Sequence, residues 1–165
     1  MKTLIAFSSK HGATEKCANL IMKELKGTVD IINLKGQTSK DISSYDNVLI
    51  GGSIYAGRLQ DEVKKFAKEN EEILSNKNIG IFICCKDEGE KAIEYMEYNM
   101  PEVVFERAII KEHLGHEITL EKKNFIEKAL LKNLFKVKES YSNIDYDAIK
   151  RITNKINSNV EAQGE

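Results

Sequence analysis

The feature that most constrains the fold is an almost wholly apolar run, Ile79-Gly80-Ile81-Phe82-Ile83-Cys84, near the middle of the chain. A run of this length and composition is typical of a strand in a parallel sheet that is covered on both faces. Four other short apolar runs alternate with longer amphipathic stretches, and they occupy residues 4–7, 29–32, 48–52 and 107–111. Five strands alternating with helices predict parallel pairing through right-handed crossovers, and hence an α/β fold with helices on both faces of the sheet.

The amphipathic stretches predict four main helices, over residues 13–26, 59–74, 90–100 and 144–156. Their apolar residues recur at helical spacing, which favours one buried face per helix. In the second helix we expect that face to contain Val63, Phe66, Ala67 and Ile73. We predict a single domain over residues 1–157 that includes an insertion at 114–143, followed by a frayed tail at 158–165.

Charge and cysteine content restrict the classes of function and the compartment. The formal net charge is −1, from 25 basic and 26 acidic residues, whereas a nucleic-acid binder usually carries a basic excess. The three cysteines, Cys17, Cys84 and Cys85, form no regular framework, which favours a reducing compartment such as the cytoplasm. Cys17 lies on the apolar face of the first predicted helix, where we expect it to be a core residue.

The loop after the first strand has the composition of an anion site. Residues 8–14 read Ser-Ser-Lys-His-Gly-Ala-Thr and lead directly into a predicted helix. Unpaired backbone N–H groups and the helix dipole favour a phosphate at such a position. Ser9 and Thr14 add hydroxyl groups, and Gly12 allows close approach of the backbone. The alternative is an ordinary helix cap, because serine and threonine favour helix starts in any case.

Two motifs together resemble those of a known family. Ser9-x-x-Gly12-x-Thr14 after the first strand is similar to the FMN phosphate loop of flavodoxins. The third strand and its exit loop, residues 48–57, contain Gly-Gly-Ser-Ile-Tyr-Ala-Gly. This second string, in the expected order after the first, resembles the flavodoxin-like branch typified by menaquinone-dependent protoporphyrinogen oxidase. The resemblance extends from Lys2 to about Asn157.

The resemblance implies a three-layer flavodoxin-like sandwich with strand order 2-1-3-4-5, and FMN bound between strands one and three. Three loops would then form the cofactor site. The phosphate would be held by Ser9, Lys10, His11, Gly12, Ala13 and Thr14. One side of the isoalloxazine ring would be lined by Ser53, Ile54, Tyr55, Ala56 and Gly57. The loop after strand four, residues 84–89, would line the other side, chiefly with Cys85, Lys86 and Gly89.

The chain departs from the flavodoxin pattern at two places. His11 stands where many flavodoxins have a small hydroxyl residue, and it could donate to the phosphate or face water. The loop at 84–89 has no aromatic residue, and the chain has no Trp. Tyr55 is the one nearby aromatic residue that the sequence offers, and it could equally point away from the ring. One open face of the flavin would suit a substrate as well as an electron partner.

Several residues near the predicted site support more than one interpretation. In related flavodoxins a peptide close to position 57 rotates on reduction, and here the Ala56–Gly57 peptide would do so because glycine tolerates positive φ. Cys84 and Cys85 could be redox thiols, although cysteines that end an apolar strand are more often small buried hydrophobes. His113 and His116 lack further metal ligands that we can identify, so we predict no metal site.

The insertion contains a basic amphipathic segment at residues 121–138, with six lysines, two glutamates and apolar residues at helical spacing. Such a helix could lie on an anionic membrane surface or dock a partner. The alternative is packing against its own sheet edge with the lysines in solvent. The resembled branch carries an insertion at the same place, which would set an apolar surface near a quinone or a large planar substrate.

These observations lead to two functional hypotheses. The first is an FMN-dependent oxidoreductase that resembles the protoporphyrinogen oxidase branch and uses a quinone or a partner protein. The second is a flavodoxin that carries single electrons between soluble redox proteins, although a net charge of −1 does not indicate the acidic face that steers such carriers. The sequence assigns no catalytic residue. We expect a cytoplasmic location, with peripheral contact at the inner membrane face in the first case.

Overall fold

The computed structural model describes residues 1–37, 40–118, 126, 128, 129, 133 and 139–162. Its main sheet contains β1 (Lys2–Phe7), β2 (Thr28–Asn33), β3 (Asn47–Tyr55), β4 (Arg58–Leu59), β5 (Asn78–Cys84) and β6 (Ala108–His113). A separate two-stranded ribbon is formed by β7 (Gly115–Ile118) and β8 (Tyr141–Ile144). The helices are α1 (Ala13–Glu24), α2 (Asp61–Glu69), α3 (Glu71–Leu74), α4 (Glu90–Asn99), α5 (Glu102–Arg107) and α6 (Tyr146–Ala162).

The five long strands are parallel and lie in the order β2-β1-β3-β5-β6. Counted along the chain as long strands, this is the predicted order 2-1-3-4-5. Along the chain, β2 is added on one side of β1 and β3 on the other, so the order of strand addition reverses at this point. The loops after β1 and β3 therefore lie next to each other at the carboxyl edge of the sheet. In open α/β sheets this position is where ligands bind.

The helices cover both faces of the sheet because alternate strand residues point to opposite sides. On one face, Ile5 and Phe7 of β1 pack with α1 and α6. On the other, Leu4 and Ala6 pack against the layer of α2 to α5. The first helix begins at Ala13, immediately after the loop 8–12, so the core packing of α1 fixes where its N-terminus lies.

The packing of the Phe82 ring of β5 across β3 depends on a glycine. Gly51 is paired with Phe82, and a Cβ atom added to Gly51 would lie 2.0 Å from Cζ of the Phe82 ring. A larger residue at position 51 would displace a fully buried aromatic side chain. The glycine pair at 51–52 therefore has a packing role in β3, and it is also part of the family-like motif of residues 48–57.

The structure corrects several of the predicted elements, including the start of the last helix, which lies at Tyr146 and not at Ile144. Residues 53–55, expected in an exit loop, belong to β3, and β4 pairs antiparallel to that strand as a sixth member of the sheet. The helix predicted over 59–74 is divided into α2 and α3 at Asn70, and Ile73 is exposed while Leu74 is buried. A short helix, α5, was not predicted. The last helix continues to Ala162, through part of the expected tail.

The insertion predicted at 114–143 is bounded by the ribbon. The register pairs Gly115 with Ile144 and Ile118 with Tyr141. The basic segment 121–138 lies almost entirely outside the described residues, so the direction of its apolar stripe stays a prediction. None of the described helices combines the length and the hydropathy that a membrane crossing requires.

Candidate functional site

The N-terminus of α1 presents unpaired hydrogen-bond donors at the carboxyl edge of the sheet. The first helical bond runs from the N–H of Lys16 to the carbonyl of Gly12, at 3.0 Å. The N–H groups of Ala13, Thr14 and Glu15 have no backbone partner among the described residues, as expected for a first helical turn. No side chain caps the helix, so these donors are available to an anion.

The loop before α1 is shaped to leave this position open. The N–H of Gly12 donates to Oγ of Ser9 at 3.0 Å, and Gly12 adopts φ +99, a conformation that favours glycine. No atom lies within 4 Å of a Cβ built on Gly12. The loop therefore does not form the ordinary side-chain cap that the sequence left as the alternative. Ser9 bonds within the loop and leaves the helix donors free.

Thr14 supplies a further polar group at the same place. Its side chain is fully buried, and Oγ1 has no hydrogen-bond partner in the described part of the chain. A buried hydroxyl without a partner costs about 1–3 kcal/mol. The arrangement is explained if a ligand oxygen completes the bond, so Thr14 fits the phosphate group of a cofactor.

A cavity of about 190 Å³ adjoins the helix N-terminus. Its walls come from four segments: the loop after β1, the end of β3, the loop after β5 and the ribbon. The lining residues are Ser9, His11, Ala13, Ser53, Ile54, Tyr55, Cys84, Cys85, Lys86, His116, Glu117, Ile118 and Tyr141. A mostly apolar cleft with a few polar groups, next to an anion site, fits a planar ring that carries a phosphate.

The structure brings together most, but not all, of the predicted site residues. Those that line the cavity are Ser9, His11, Ala13, Ser53, Ile54, Tyr55, Cys85 and Lys86. Gly12 and Thr14 lie at the neighbouring helix start, and Ala56 and Gly57 form the turn after β3. Lys10 lies over the Tyr55 ring, with Nζ 3.9 Å from its centroid. Gly89 lies instead at the start of α4 and lines a different cleft.

The β3–β4 hairpin replaces the exit loop that we expected for residues 53–57. Tyr55 pairs with Arg58 across a two-residue turn, and both Ala56 (φ 50) and Gly57 (φ 75) have positive φ. This is the geometry of a type I′ hairpin turn. The amide side chain of Gln60 accepts a bond from the Ser53 N–H at 3.0 Å and donates to Oγ of Ser53, so the strand end is held rigidly beside the cavity.

The aromatic residues around the cavity are more numerous than the sequence indicated. Tyr55 does face the site, with 36% of its surface exposed. Tyr141 and His116 line the same cavity, and their rings meet edge to face at 5.0 Å between centroids. The expectation that Tyr55 would be the one nearby aromatic residue was wrong, because β7 and β8 pair across the insertion and return Tyr141 to the site.

An ion pair connects the ribbon to α1. Nζ of Lys16 binds Oε2 of Glu117, and this hydrogen bond raises the pKa of Lys16. The side chain of Glu117 is only 16% exposed. Water therefore screens the ion pair mainly from the side of Lys16. The ribbon is therefore attached to the same helix whose N-terminus forms the anion site.

The cysteine geometry favours buried thiols over redox groups. Sγ of Cys84 lies 3.7 Å from Sγ of Cys17, and both side chains are buried. The hydrogen bond that the Cys84 thiol donates to Sγ of Cys17, together with burial, raises the pKa of Cys84 well above its usual value. Burial raises the pKa of Cys85 to about 12. Neither thiol is poised to ionise near neutral pH, which a nucleophilic or redox-active cysteine requires.

Three larger clefts lie elsewhere on the described part of the molecule. One of about 520 Å³ lies between the end of β2 and α2, one of about 750 Å³ lies between β6 and the start of α6, and one of about 460 Å³ lies between α3, the end of α2 and α5. None of them borders the loop at residues 9–14. No group of three or more metal-ligating side chains occurs among the described residues. The smaller cavity is the better site because it adjoins the unpaired helix donors.

Comparison with known proteins gives the family of the chain. The family model described as "Flavodoxin domain" matches residues 4–145. Protoporphyrinogen IX dehydrogenase [quinone] of Escherichia coli strain K12 is 34% identical over 73 residues, which span 42% of this chain and 40% of the relative. The chain thus matches less than half the length of that curated relative.

Solved structures show the same fold. Oxidised Flavodoxin 2 from Bacillus cereus has a TM-score of 0.56 at 28% identity, over 78% of this chain and 92% of that one. The TIGR4 flavodoxin of Streptococcus pneumonia has a TM-score of 0.57 at 15% identity, over 94% and 95% of the two chains.

Proposed function

This chain belongs to the flavodoxin domain family, and we propose that it binds FMN at the carboxyl edge of its sheet and exchanges electrons with a quinone. The observation that carries this proposal is the set of unpaired donors at α1 beside a cavity with apolar and aromatic walls. Bound FMN would supply one- and two-electron redox chemistry, which none of the twenty amino-acid side chains provides as readily.

The phosphate group would be held by backbone N–H groups of Ala13, Thr14 and Glu15 together with the Thr14 hydroxyl. These donors are fixed by helix packing before any ligand arrives, so little conformational entropy is lost on binding. The positive end of the helix dipole adds favourable electrostatic energy for a dianion. Lys10, in the loop before the helix, adds positive charge, whereas the charge of Lys16 is paired with Glu117.

The ring system would lie in the cavity between Tyr55 and the pair formed by His116 and Tyr141. Ile54, Ile118 and the buried Cys84 and Cys85 side chains supply apolar surface. At about 190 Å³ the enclosed space is smaller than the roughly 300–1,000 Å³ of a typical ligand pocket. A flavin ring would therefore also occupy space beside the partly exposed Tyr55, and one part of it would stay accessible to a second reactant.

An oxidoreductase is favoured over a single-electron carrier by the ribbon. The ribbon adds His116, Ile118 and Tyr141 to a site that three loops would otherwise form, and an apolar aromatic wall suits a planar organic reactant. The quinone named for the Escherichia coli relative has this character. The carrier alternative is supported by the likeness to Flavodoxin 2 from Bacillus cereus.

The location of the protein is part of the proposal. All three cysteines are free and buried, which fits a reducing compartment such as the cytoplasm. Contact of the basic segment 121–138 with the membrane surface would bring the site close to a lipid-soluble quinone. A partner protein that reduces the flavin would complete the reaction.

The first experiment compares FMN with riboflavin, which lacks the phosphate. The purified apo chain is titrated with each ligand while flavin fluorescence is recorded. We expect FMN to bind at least 100-fold more tightly, because charge-assisted hydrogen bonds to the phosphate contribute about 1.5–3 kcal/mol each. Equal affinity for the two flavins, or no binding of either, would contradict the proposed site.

The second experiment separates the two functions. The FMN-loaded chain is reduced stepwise without oxygen, then mixed with a water-soluble naphthoquinone. A single two-electron step followed by rapid reoxidation by the quinone is expected for the oxidoreductase. Two well-separated one-electron steps, with slow reoxidation by the quinone, would instead establish the carrier.

A further inference from the structure

His116 lies in the ribbon, and its contacts do not give it a role in holding the fold together. His116 lines the cavity together with Tyr55, and its ring packs edge-on against Tyr141, with an interplanar angle of 73°. Residues of an antiparallel ribbon alternate in direction, and Glu117, the next residue, binds Lys16 of α1. Glu117 thus fixes the ribbon to α1 directly beside His116, and the Tyr141 ring packs against the imidazole, which limits its freedom to turn away from the cavity.

The two ring nitrogens of His116 lie in different surroundings. Nδ1 is buried and has no hydrogen-bond partner among the described residues. A proton on Nδ1 would therefore be a buried donor without an acceptor, which is unfavourable. The neutral imidazole avoids this by carrying its single proton on Nε2, which is then the nitrogen left to meet a ligand in the cavity.

The electrostatic surroundings favour the neutral ring. Burial lowers the pKa of His116 below 6.5, with further lowering by His113 and Lys86 and an opposing effect of Glu88. At neutral pH the imidazole is thus uncharged, and its Nε2–H is a directed hydrogen-bond donor. A neutral donor of this kind can polarise a carbonyl group without placing a full charge in an apolar site.

We propose that His116 donates a hydrogen bond from Nε2 to a conjugated carbonyl oxygen of a planar ligand in the cavity. This inference rests on the proposed function, because it assumes that the cavity holds a flavin or its reaction partner. Two ligands offer this chemistry, the flavin ring and a quinone. In either case the donor would stabilise negative charge on oxygen, and His116 would be a catalytic residue that the sequence did not indicate.

The test uses the full chain with two substitutions at one position. His116→Gln keeps a side-chain N–H donor, whereas His116→Leu removes it at similar size. His113→Gln is the matched control. His113 ends β6, just before the ribbon begins, but its Nε2 bonds the carbonyl oxygen of Cys85 at 2.8 Å. Thermal unfolding of each apo variant is recorded beside the binding measurements, so that a folding defect is recognised.

The first readout is nitrogen-15 NMR of the histidine rings, which distinguishes the two tautomers without any activity assay. We expect His116 of the apo chain to carry its proton on Nε2, and its Nε2 resonance to shift when FMN or a soluble naphthoquinone is added. The His113 resonances should shift less. An Nδ1-protonated ring, or a His116 resonance that neither ligand moves, would overturn the proposal even if His116→Leu fails to fold.

The second readout identifies the ligand. If the acceptor is the flavin, His116→Leu should weaken FMN binding about 3- to 10-fold, and His116→Gln should restore it. If the acceptor is the quinone, FMN binding is unchanged, and the KM for the naphthoquinone rises by a similar factor in His116→Leu alone. Unchanged values for both ligands would refute the role of His116, while tight FMN binding by the wild type would still support the proposed function.

Discussion

The side-chain amide of Asn99 donates a hydrogen bond of 3.0 Å to the carbonyl oxygen of Gly57. The same side chain accepts from the N–H of Leu59 at 3.0 Å and donates to the carbonyl of Tyr95 at 2.8 Å. Asn99 is buried at the end of α4, so one residue joins that helix to Gly57 of the β3–β4 turn and to Leu59 of β4. The position of the turn beside the cavity thus depends on a residue outside the site.

Asn99→Ala should therefore destabilise the protein and loosen the turn. Loss of these bonds leaves the buried N–H of Leu59 unpaired, and we expect the free energy of unfolding to fall by about 2–3 kcal/mol. Urea denaturation of the apo protein measures the change. Asn76→Ala is the matched control, because Asn76 is exposed and bonds Glu72 at 3.3 Å, and it should change stability by less than about 0.5 kcal/mol. Equal effects of the two substitutions would contradict the role of Asn99.

Substitution of Gly57 should affect both stability and the flavin potential. A Cβ at this position meets Cε1 of Tyr95 at 3.4 Å, and the backbone has φ 75. We expect Gly57→Val to lower the free energy of unfolding by about 1–3 kcal/mol and to shift the one-electron potentials of bound FMN. Ala56→Gly, which removes strain at φ 50, should change stability by less than about 1 kcal/mol. Unchanged potentials in a fully flavinated Gly57→Val protein would exclude peptide rotation at this turn.

Thr14→Val should separate binding from stability. Valine has the shape of threonine without the unpartnered hydroxyl, so the apo protein should be as stable as the wild type or more stable. The FMN dissociation constant should rise about 10- to 150-fold, because a hydrogen bond to a charged phosphate is lost.

Thr153→Val provides the converse control for that prediction. Oγ1 of Thr153 is also buried, but it bonds Glu24 and the carbonyl of Lys150 within the protein. We expect this variant to lose stability in urea denaturation while FMN affinity is unchanged. If Thr14→Val instead weakens the apo protein and leaves FMN binding intact, the hydroxyl has a structural role.

The cysteine thiols should make stability fall at high pH. The pKa of Cys85 is raised from 9.0 to about 12, so the folded protein holds a proton that the unfolded chain releases. This contribution is fully present below about pH 9 and is lost as the pH rises toward 12. We expect the urea midpoint of wild type to decrease over this range more steeply than that of Cys85→Ser. Parallel curves for the two proteins would show that Cys85 titrates normally.

The parallel sheet was predictable because each strand carries its own signal. The runs around Ile5, Ile50 and Ile81 are continuously apolar, and their burial on both faces follows from that composition alone. The open loop before α1 was predictable for the same local reason, since residues 9–14 contain its glycine and hydroxyl residues in direct sequence. Features encoded within a few adjacent residues are those that a single sequence reveals.

The ribbon was not predictable, and with it His116 and Tyr141 were missed. Each of its strands has four residues, and their partners are separated by the whole insertion. Pairing over that distance depends on tertiary contacts, such as the one between Lys16 and Glu117, which no local pattern encodes. The alternation of Tyr141 and Asn143 with smaller residues is too short to indicate a strand by itself. The β3–β4 hairpin was missed because Ala-Gly is a rare sequence for a type I′ turn.

The pairing of Ile118 with Tyr141 has an evolutionary consequence. The insertion leaves and rejoins the fold at adjacent points of one ribbon, so its length and composition can drift without displacing the strands that border the cavity. A change in length between Ile118 and Tyr141 would leave the register of the ribbon as it is, and His116 and Tyr141 would stay in the cavity wall. The cavity is thus insulated from the segment that the ribbon carries.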